Sequence, residues 1–466
     1  MIKLTTLEIA KIVSAELIGS AEVVVSGSVE TDSRKVSAGS LFVAKPGEET
    51  DGHLFMENAI SNGAAAALVE RQVPGDIPQL LVSDVVVAMG VLAKYVVAEV
   101  KSKGKLQVVG VTGSNGKTTT KNMLRNILSK FGPTVSPQES FNNEVGAPYS
   151  MLQINEDTAF LVVELGAGGL GSIRYLAQMC QPDIGIELKV GLAHAGEFGG
   201  IENTQKIKAE LVEELSTDAL ALLNADDAYV MQMKTMTKAR VLTFGTQSDS
   251  SYFASQISGS IEGTSFLFHS PNKESKKVQL KILGEHHVFN AMAALATADQ
   301  LNLDLDIAIQ AIDAMPLAER WRMELHHRAD GLTVINDAYN ASPDSMKAAL
   351  QTLAELGRQT GKKTVAVLGE MAELGEYSIN EHDAMGRIAV RLNLGQLVVI
   401  GAGAKLIHMG ATQEGSWDGE SKYFEQISEG EQYLREMLTG DEIVLVKSSK
   451  SANLRYLGDA LLEENK

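Results

Sequence analysis

The stretch Thr112-Gly113-Ser114-Asn115-Gly116-Lys117-Thr118-Thr119 holds the residue types that grip a polyphosphate. Its glycines let backbone N–H groups curl around phosphate oxygens, Lys117 can reach β- and γ-phosphates, and the Thr118 hydroxyl can ligate Mg²⁺. The apolar run Leu106 to Val111 before it reads as a strand, and Thr119 to Lys130 after it as a helix whose N-terminus adds partial positive charge. The usual phosphate-loop pattern requires glycine at position 111, which is Val111 here, so the loop is a shortened relative of that pattern.

Other candidates sit at the ends of apolar runs. Glu164 closes Phe160 to Glu164, the edge where parallel sheets bind ligands, and is a candidate Mg²⁺ ligand; alone it reads equally as a solvated acid. His194, in the loop Val190 to Gly199, and Lys206 and Lys208, in the helical segment Asn203 to Leu211, read by themselves as ordinary structural or exposed side chains. Asn290 can offer a donor and an acceptor to a purine edge, and Asp337, where Leu332 to Asn336 ends, can accept from ribose hydroxyls. Two more polar turns, Leu368 to Gly375 and Val446 to Lys450, end strands of the same region. Three such loops at one edge predict closure over a ligand.

The elements that must position these groups form an α/β protein of three domains. With 466 residues the chain exceeds what one core supports. Residues 1–104 mix short strands (Glu22 to Val25, Ser40 to Ala44, Ala65 to Val69, Gln79 to Val82) with a helix over Phe55 to Asn62 and end in the polar linker Lys101 to Lys105. Residues 105–315 read as a parallel-sheet domain with strands Leu106 to Val111, Phe160 to Glu164, Asp183 to Ile186 and Leu220 to Leu223, hairpins over Gln247 to Ser275, and a closing helix Asn290 to Leu301. Met315-Pro316-Leu317 marks a hinge, and residues 316–466 read as a Rossmann-like domain with strands Leu332 to Ile335, Lys363 to Leu368, Leu397 to Ile400 and Ile443 to Val446.

Composition excludes several classes. A formal charge of -18, from 41 basic and 59 acidic residues, opposes binding to a nucleic-acid backbone. The single cysteine, Cys180, permits no internal disulfide and no cysteine-rich zinc site, which fits a reducing compartment. No run of about 18 apolar residues occurs, and Met1 to Glu8 does not read as a secretion signal, so a cytoplasmic protein, here taken as a monomer, is expected.

With these residues assembled, the chain resembles the Mur ligase family from end to end. Thr31-Asp32-Ser33-Arg34, Gly39 to Ala44, Asp51-Gly52-His53 and Gly63-Ala64 are similar to the family's UDP-binding domain, and Thr112 to Thr119 is similar to its phosphate loop. Asn142-Asn143 with Gly146 and Pro148 matches its asparagine loop, Arg322-Met323-Glu324 its Arg-x-Glu, and Asp337 to Pro343 with Leu368 to Met371 and His382 the branch that adds D-alanyl-D-alanine.

The resemblance implies an ATP-dependent ligase that joins a UDP-N-acetylmuramoyl tripeptide to D-alanyl-D-alanine through an acyl phosphate, in the making of peptidoglycan precursors. Ser33, Arg34, Asn142 and Asn143 would then hold the UDP substrate. Gly113 to Thr119, Asn290, Arg322 and Asp337 would hold ATP, and Thr118, Glu164 and His194 the Mg²⁺. Lys208 aligns with a lysine the family carries as a carbamate, which would turn a cation into a ligand for a second Mg²⁺; Lys117, Lys208 and His194 would be the catalytic residues. One departure is Lys447-Ser448-Ser449-Lys450 where many relatives carry Lys-Gly-Ser-Arg, which replaces a bidentate fork by a point charge. Competing readings are the branch adding a diamino acid, folylpolyglutamate synthase as a more distant relative, and a phosphate-loop ATPase acting as a switch.

Overall fold

A computed structural model describes residues 1–47, 50–137, 140–271, 273–315, 320–415 and 420–463. Pro316 and Leu317, read as a hinge, lie outside the described residues. Among those described, the strands form three main sheets and a two-stranded ribbon.

The central sheet positions the phosphate loop. Its strand order is Lys276–Leu280, Gly263–His269, Tyr252–Ser260, Arg240–Gly245, Leu220–Asn224, Ile184–Glu187, Gln107–Thr112, Phe160–Glu164, Thr134–Val135. From Tyr252–Ser260 to Thr134–Val135 neighbouring strands run parallel, as continuous Val/Leu/Ile runs demand when helices cover both faces. Val109 and Val111 pack with Met123, Leu124 and Ile127 of the helix Lys117–Leu128 on one face, while Val108 joins a different core on the other. Each such fully buried side chain contributes roughly 1.5–3 kcal/mol, so the helix that follows the loop is firmly seated. Register places Glu164 opposite Val111 and Glu187 opposite Thr112, so two carboxylates flank the strand end from which the loop springs.

Several elements differ from the sequence reading. The helix starts at Lys117 rather than Thr119. The predicted hairpin is present over Tyr252–Ser260 and Gly263–His269, but a third strand, Lys276–Leu280, continues it; its alternation of Lys277 and Gln279 with the buried Val278 and Leu280 marks an amphipathic edge. The helix expected from Asn290 begins at His286, and a further helix, Leu305–Asp313, follows it. The expected strand Glu22 to Val25 shrinks to Val24–Val25, paired with Leu4–Thr5 outside the main sheet.

The first sheet has the order Glu16–Ile18, Gln79–Leu81, Ala66–Val69, Leu41–Val43, Val29–Glu30, parallel except at Glu16–Ile18. Behind it runs the helix Val85–Ser102, whose first turn is capped by Asp84 accepting from the Val86 and Val87 N–H groups at 2.7 and 3.0 Å. Leu92, Val96, Val97 and Val100 of this helix share one apolar cluster with Ile9 and Leu41 of the first domain and Leu161, Leu176 and Leu211 of the second. The third sheet has the order Glu324–His327, Thr333–Asn336, Glu442–Lys447, Lys363–Leu368, Gln396–Ile400, Ser421–Phe424, antiparallel only at Glu324–His327. Both edge strands escape a search for apolar runs because their sequences, Glu-Leu-His-His and Ser-Lys-Tyr-Phe, carry charged and polar residues and are mostly only partly buried.

Candidate active site

The loop is shaped by its glycines. Gly113 and Gly116 have φ of 148° and 87°, and a Cβ on Gly116 would sit 2.3 Å from the Asn290 side-chain oxygen. Lys117 Nζ donates to the Gly113 carbonyl at 2.7 Å, so the lysine folds back over its own loop. Burial pulls its pKa down, opposed by Glu164.

A cavity of about 250 Å³ opens in front of the loop. It is lined by Ser114 to Thr119, Asn142, Glu164, His194, Asn290, Arg322 and Asp337, which the fold gathers from two domains. Asn142 donates to Glu164 Oε1 at 2.8 Å, whereas Glu164 Oε2 is buried with no hydrogen-bond partner among the described residues. The Thr118 and Ser140 hydroxyls lie 3.4 Å apart. A hard cation requires such oxygens, and a buried carboxylate oxygen left without a partner in a cavity that also holds two hydroxyls fits a magnesium ion.

From the third domain, Trp321 and Met323 take positive φ of 64° and 51°, and the intervening Arg322 guanidinium lies 4.2 Å from the centre of the Tyr339 ring. Asp337 is already engaged: Oδ1 accepts from the Met323 N–H at 3.0 Å and Oδ2 pairs with Lys447 at 2.5 Å. Each oxygen keeps a lone pair for a hydroxyl donor. Asn290 lies 3.2 Å from the His287 ring. Burial pushes His286 down to about 4 and His287 well below its ordinary value, so both rings line the cavity uncharged at neutral pH.

His194 adopts a left-handed φ of 62° and its Nδ1 lies 2.5 Å from Glu373 of the third domain and 3.5 Å from Glu197. Lys208 does not line the cavity; it is buried in the helix Ile201–Glu213, within electrostatic range of Lys117 and Glu187. Glu187 is fully buried, and neither of its oxygens has a hydrogen-bond partner among the described residues. Burial drives its carboxyl well up and the Lys208 ammonium down, each opposed by the charge of the other.

A second cleft of about 330 Å³ lies against the first domain, lined by Asp32, Lys35, Lys45, Ser140, Asn143 and Tyr149 among others. Ser140 lines both cavities, and Asn142 and Asn143 face one each. Ser33 and Arg34 do not line this cleft. Ser33 is buried and accepts from Asn58 at 3.2 Å, and the exposed Arg34 is closed on Asp32 by bonds of 2.9 and 2.8 Å.

The order of parts along the chain and their geometry match a set of known proteins. Models described as the Mur ligase family catalytic domain, the Mur ligase middle domain and the Mur ligase glutamate ligase domain match residues 27–100, 111–298 and 321–450. The UDP-N-acetylmuramoyl-tripeptide–D-alanyl-D-alanine ligase of Mycobacterium tuberculosis H37Rv is 37% identical over 505 aligned positions, covering 100% of this chain and 99% of that one. The chain belongs to the Mur ligase family. Among solved structures, a crystal structure of MurF from Acinetobacter baumannii superposes with a TM-score of 0.88 at 30% identity, covering 99% of each chain. MurF of Thermotoga maritima, crystallised with ADP, superposes at 0.78 with 26% identity over 93% of this chain and 96% of that one. The three-domain architecture of this Mur ligase is the one seen in those structures.

Sequence reasoning missed Glu187 and passed over Lys447 and Tyr339 as site residues. Lys447 had a signal, the end of the apolar run Ile443 to Val446 at the edge where Asp337 lies. Lys450, which drew attention as a departure, does not line the cavity; its ammonium lies 5.7 Å from the centre of the Tyr339 ring.

Proposed function

We propose that this Mur ligase joins D-alanyl-D-alanine to a UDP-N-acetylmuramoyl tripeptide at the expense of ATP. The carrying observation is that residues of two domains line one phosphate-loop cavity, which meets the first-domain cleft at Ser140. The ADP complex of the Thermotoga maritima relative supports a nucleotide in that cavity, and the name of the M. tuberculosis relative supports the two other substrates. Among the described residues no helix is long and apolar enough to cross a membrane.

In this reading the loop N–H groups and Lys117 hold the ATP phosphates, the Asn290 amide meets the adenine edge, and Asp337 accepts from the ribose while Lys447 fixes its orientation. Arg322, laid on Tyr339, supplies a further positive charge toward the phosphates. Thr118, Glu164 and His194 would hold Mg²⁺, which when bound offsets negative charge on the phosphates. The tripeptide carboxylate attacks the γ-phosphorus, ADP leaves, and an acyl phosphate results. The D-alanyl-D-alanine amine then attacks the acyl carbon, phosphate leaves and the amine loses a proton. Lys117 neutralises charge as the phosphoryl group moves.

Lys208 acts as a carbamate. CO₂ reacts only with a neutral amine, and burial drives the Lys208 ammonium toward that form. The UDP end lies in the first-domain cleft, where Lys35 and Lys45 face the diphosphate, Asn142 and Asn143 stand at the passage, and Ser33 and Arg34 act one layer behind, Arg34 through Asp32.

The protein incubated with ATP, Mg²⁺, the UDP-muramoyl tripeptide and either D-alanyl-D-alanine or single amino acids yields a pentapeptide product, by mass, only with the dipeptide. A product formed from a free diamino acid would move the enzyme to the other branch of the family. Phosphate release without any peptide product would make it an ATPase.

A further inference from the structure

The segment Leu188 to Gly191, which follows the strand Ile184–Glu187, touches the phosphate loop and the third domain at once. Its backbone is bound to the loop: the Ser114 N–H donates to the Lys189 carbonyl at 2.7 Å, and the Gly191 N–H donates to Ser114 Oγ at 2.9 Å. Its side chain reaches the other way, for Lys189 Nζ pairs with Asp344 Oδ1 at 2.8 Å. Asp344 stands in the first turn of the helix Pro343–Thr360, where a carboxylate is favoured by the helix dipole. The approach is close, since a Cβ on Gly191 would lie 2.3 Å from Asp344 Oδ2. Beside it, the Ser342 hydroxyl donates to Asn115 Oδ1 at 3.2 Å, a second tie between the same helix start and the loop.

We propose that Lys189 and Asp344 are a positioning pair that couples seating of the third domain to the shape of the phosphate loop. When Asp344 holds Lys189, the segment that anchors Ser114 is fixed from both sides, and the nucleotide meets a loop already in its gripping form. When the third domain lifts, Lys189 loses its partner and the anchor of Ser114 loosens. Nucleotide affinity and domain seating then rise and fall together, as thermodynamic linkage requires. Both side chains are partly exposed, so the pair contributes modestly, on the order of fivefold in the seating equilibrium. The coupling concerns the nucleotide step of the ligase reaction proposed above and rests on that reading for its consequence in turnover.

The test uses Asp344→Lys, Lys189→Asp and the double exchange, each in full-length protein. Seating is read as the distance between probes at Met236→Cys and Met409→Cys, exposed positions of the second and third domains that label selectively because Cys180 is buried. With ADP bound, the parent gives a short, narrow distance distribution. Asp344→Lys broadens and lengthens it and raises the KM for ATP about fivefold or more, while the double exchange restores both. An Asp344→Lys protein with unchanged distance and KM overturns the pairing, as does a double exchange no better than the single changes. Should Asp344→Lys prove unfolded by circular dichroism, Asp344→Asn gives the same readouts with a smaller shift, and no shift there overturns the proposal. The probe distance with ADP bound needs neither acceptor nor turnover. Coupling without D-alanyl-D-alanine ligation would therefore remove the substrate reading and leave the pair standing.

Discussion

The two seams of this molecule differ in their balance of apolar and polar contacts. The first domain is joined to the second by one apolar cluster running from Ile9 through Leu92 and Val96 to Leu161 and Leu176, all buried. The third meets the second through polar contacts at the site, namely Lys189 with Asp344, Ser342 with Asn115, His194 with Glu373, and the Gly196 N–H donating to the Glu373 carbonyl at 3.1 Å, and through a smaller apolar contact in which Leu283, Leu192 and Ile261 pack on the third domain's core. Apolar burial is strong and indifferent to small rearrangement, whereas hydrogen bonds and exposed ion pairs are worth little each and can be exchanged for water. The UDP cleft is accordingly held on a fixed frame, and the nucleotide cavity lies at a seam able to open and close.

Removing the ammonium at the polar seam has the largest effect. Lys117→Ala lowers kcat/KM for ligation by about a thousandfold or more, the scale for losing a group aimed at developing transition-state charge. Calorimetric titration with the UDP substrate stays close to the parent's, because the first-domain cleft does not include Lys117. An equal loss of UDP-substrate affinity would show that the two seams are not independent.

At the apolar seam, Leu92→Ala removes a fully buried side chain and destabilises the protein by about 2–5 kcal/mol. Urea unfolding should show the first and second domains melting together, with residual kcat near the parent's under conditions that keep the fold. Separate transitions would contradict a shared core.

The phosphate loop was legible because it is local: glycines, lysine and hydroxyl lie within eight consecutive residues, between an apolar strand and a helix. The same holds for Phe160–Glu164, whose predicted bounds are those observed. Glu187 was not legible. It follows an apolar strand as a solvated acid would, and it is enclosed only because the helix Ile201–Glu213 and the neighbouring strands pack around it. Family motif alone pointed at Ser33 and Arg34, but nothing in a linear motif shows that Arg34 closes on Asp32 two residues away. The pairing of His194 with Glu373 depends on how two domains meet, which no local pattern carries.

Glu187→Gln gives a smaller, pH-dependent effect. The folded protein holds this carboxyl's pKa above its unfolded value, so the folded state binds more protons in the window above the ordinary carboxylate range. Stability from this group is complete at acid pH and falls as pH rises through that window. The glutamine variant flattens that decline, measured as urea midpoints between about pH 4 and pH 8. A slope as steep as the parent's would assign the pH dependence elsewhere.

The smallest effect belongs to Arg34→Ala. Its guanidinium is already spent on Asp32 in solvent, so the KM for the UDP substrate changes by less than about threefold. A tenfold rise would show that Arg34 leaves Asp32 to meet the substrate.

Oxygen transfer tests the account most directly. If the cavity lets the tripeptide carboxylate attack the γ-phosphorus, substrate labelled with ¹⁸O in that carboxylate delivers one labelled oxygen to each inorganic phosphate released with the peptide product. Mass spectrometry of the phosphate should find that single label at every turnover. Phosphate free of the label would contradict the acyl-phosphate route and with it the assignment of the nucleotide cavity.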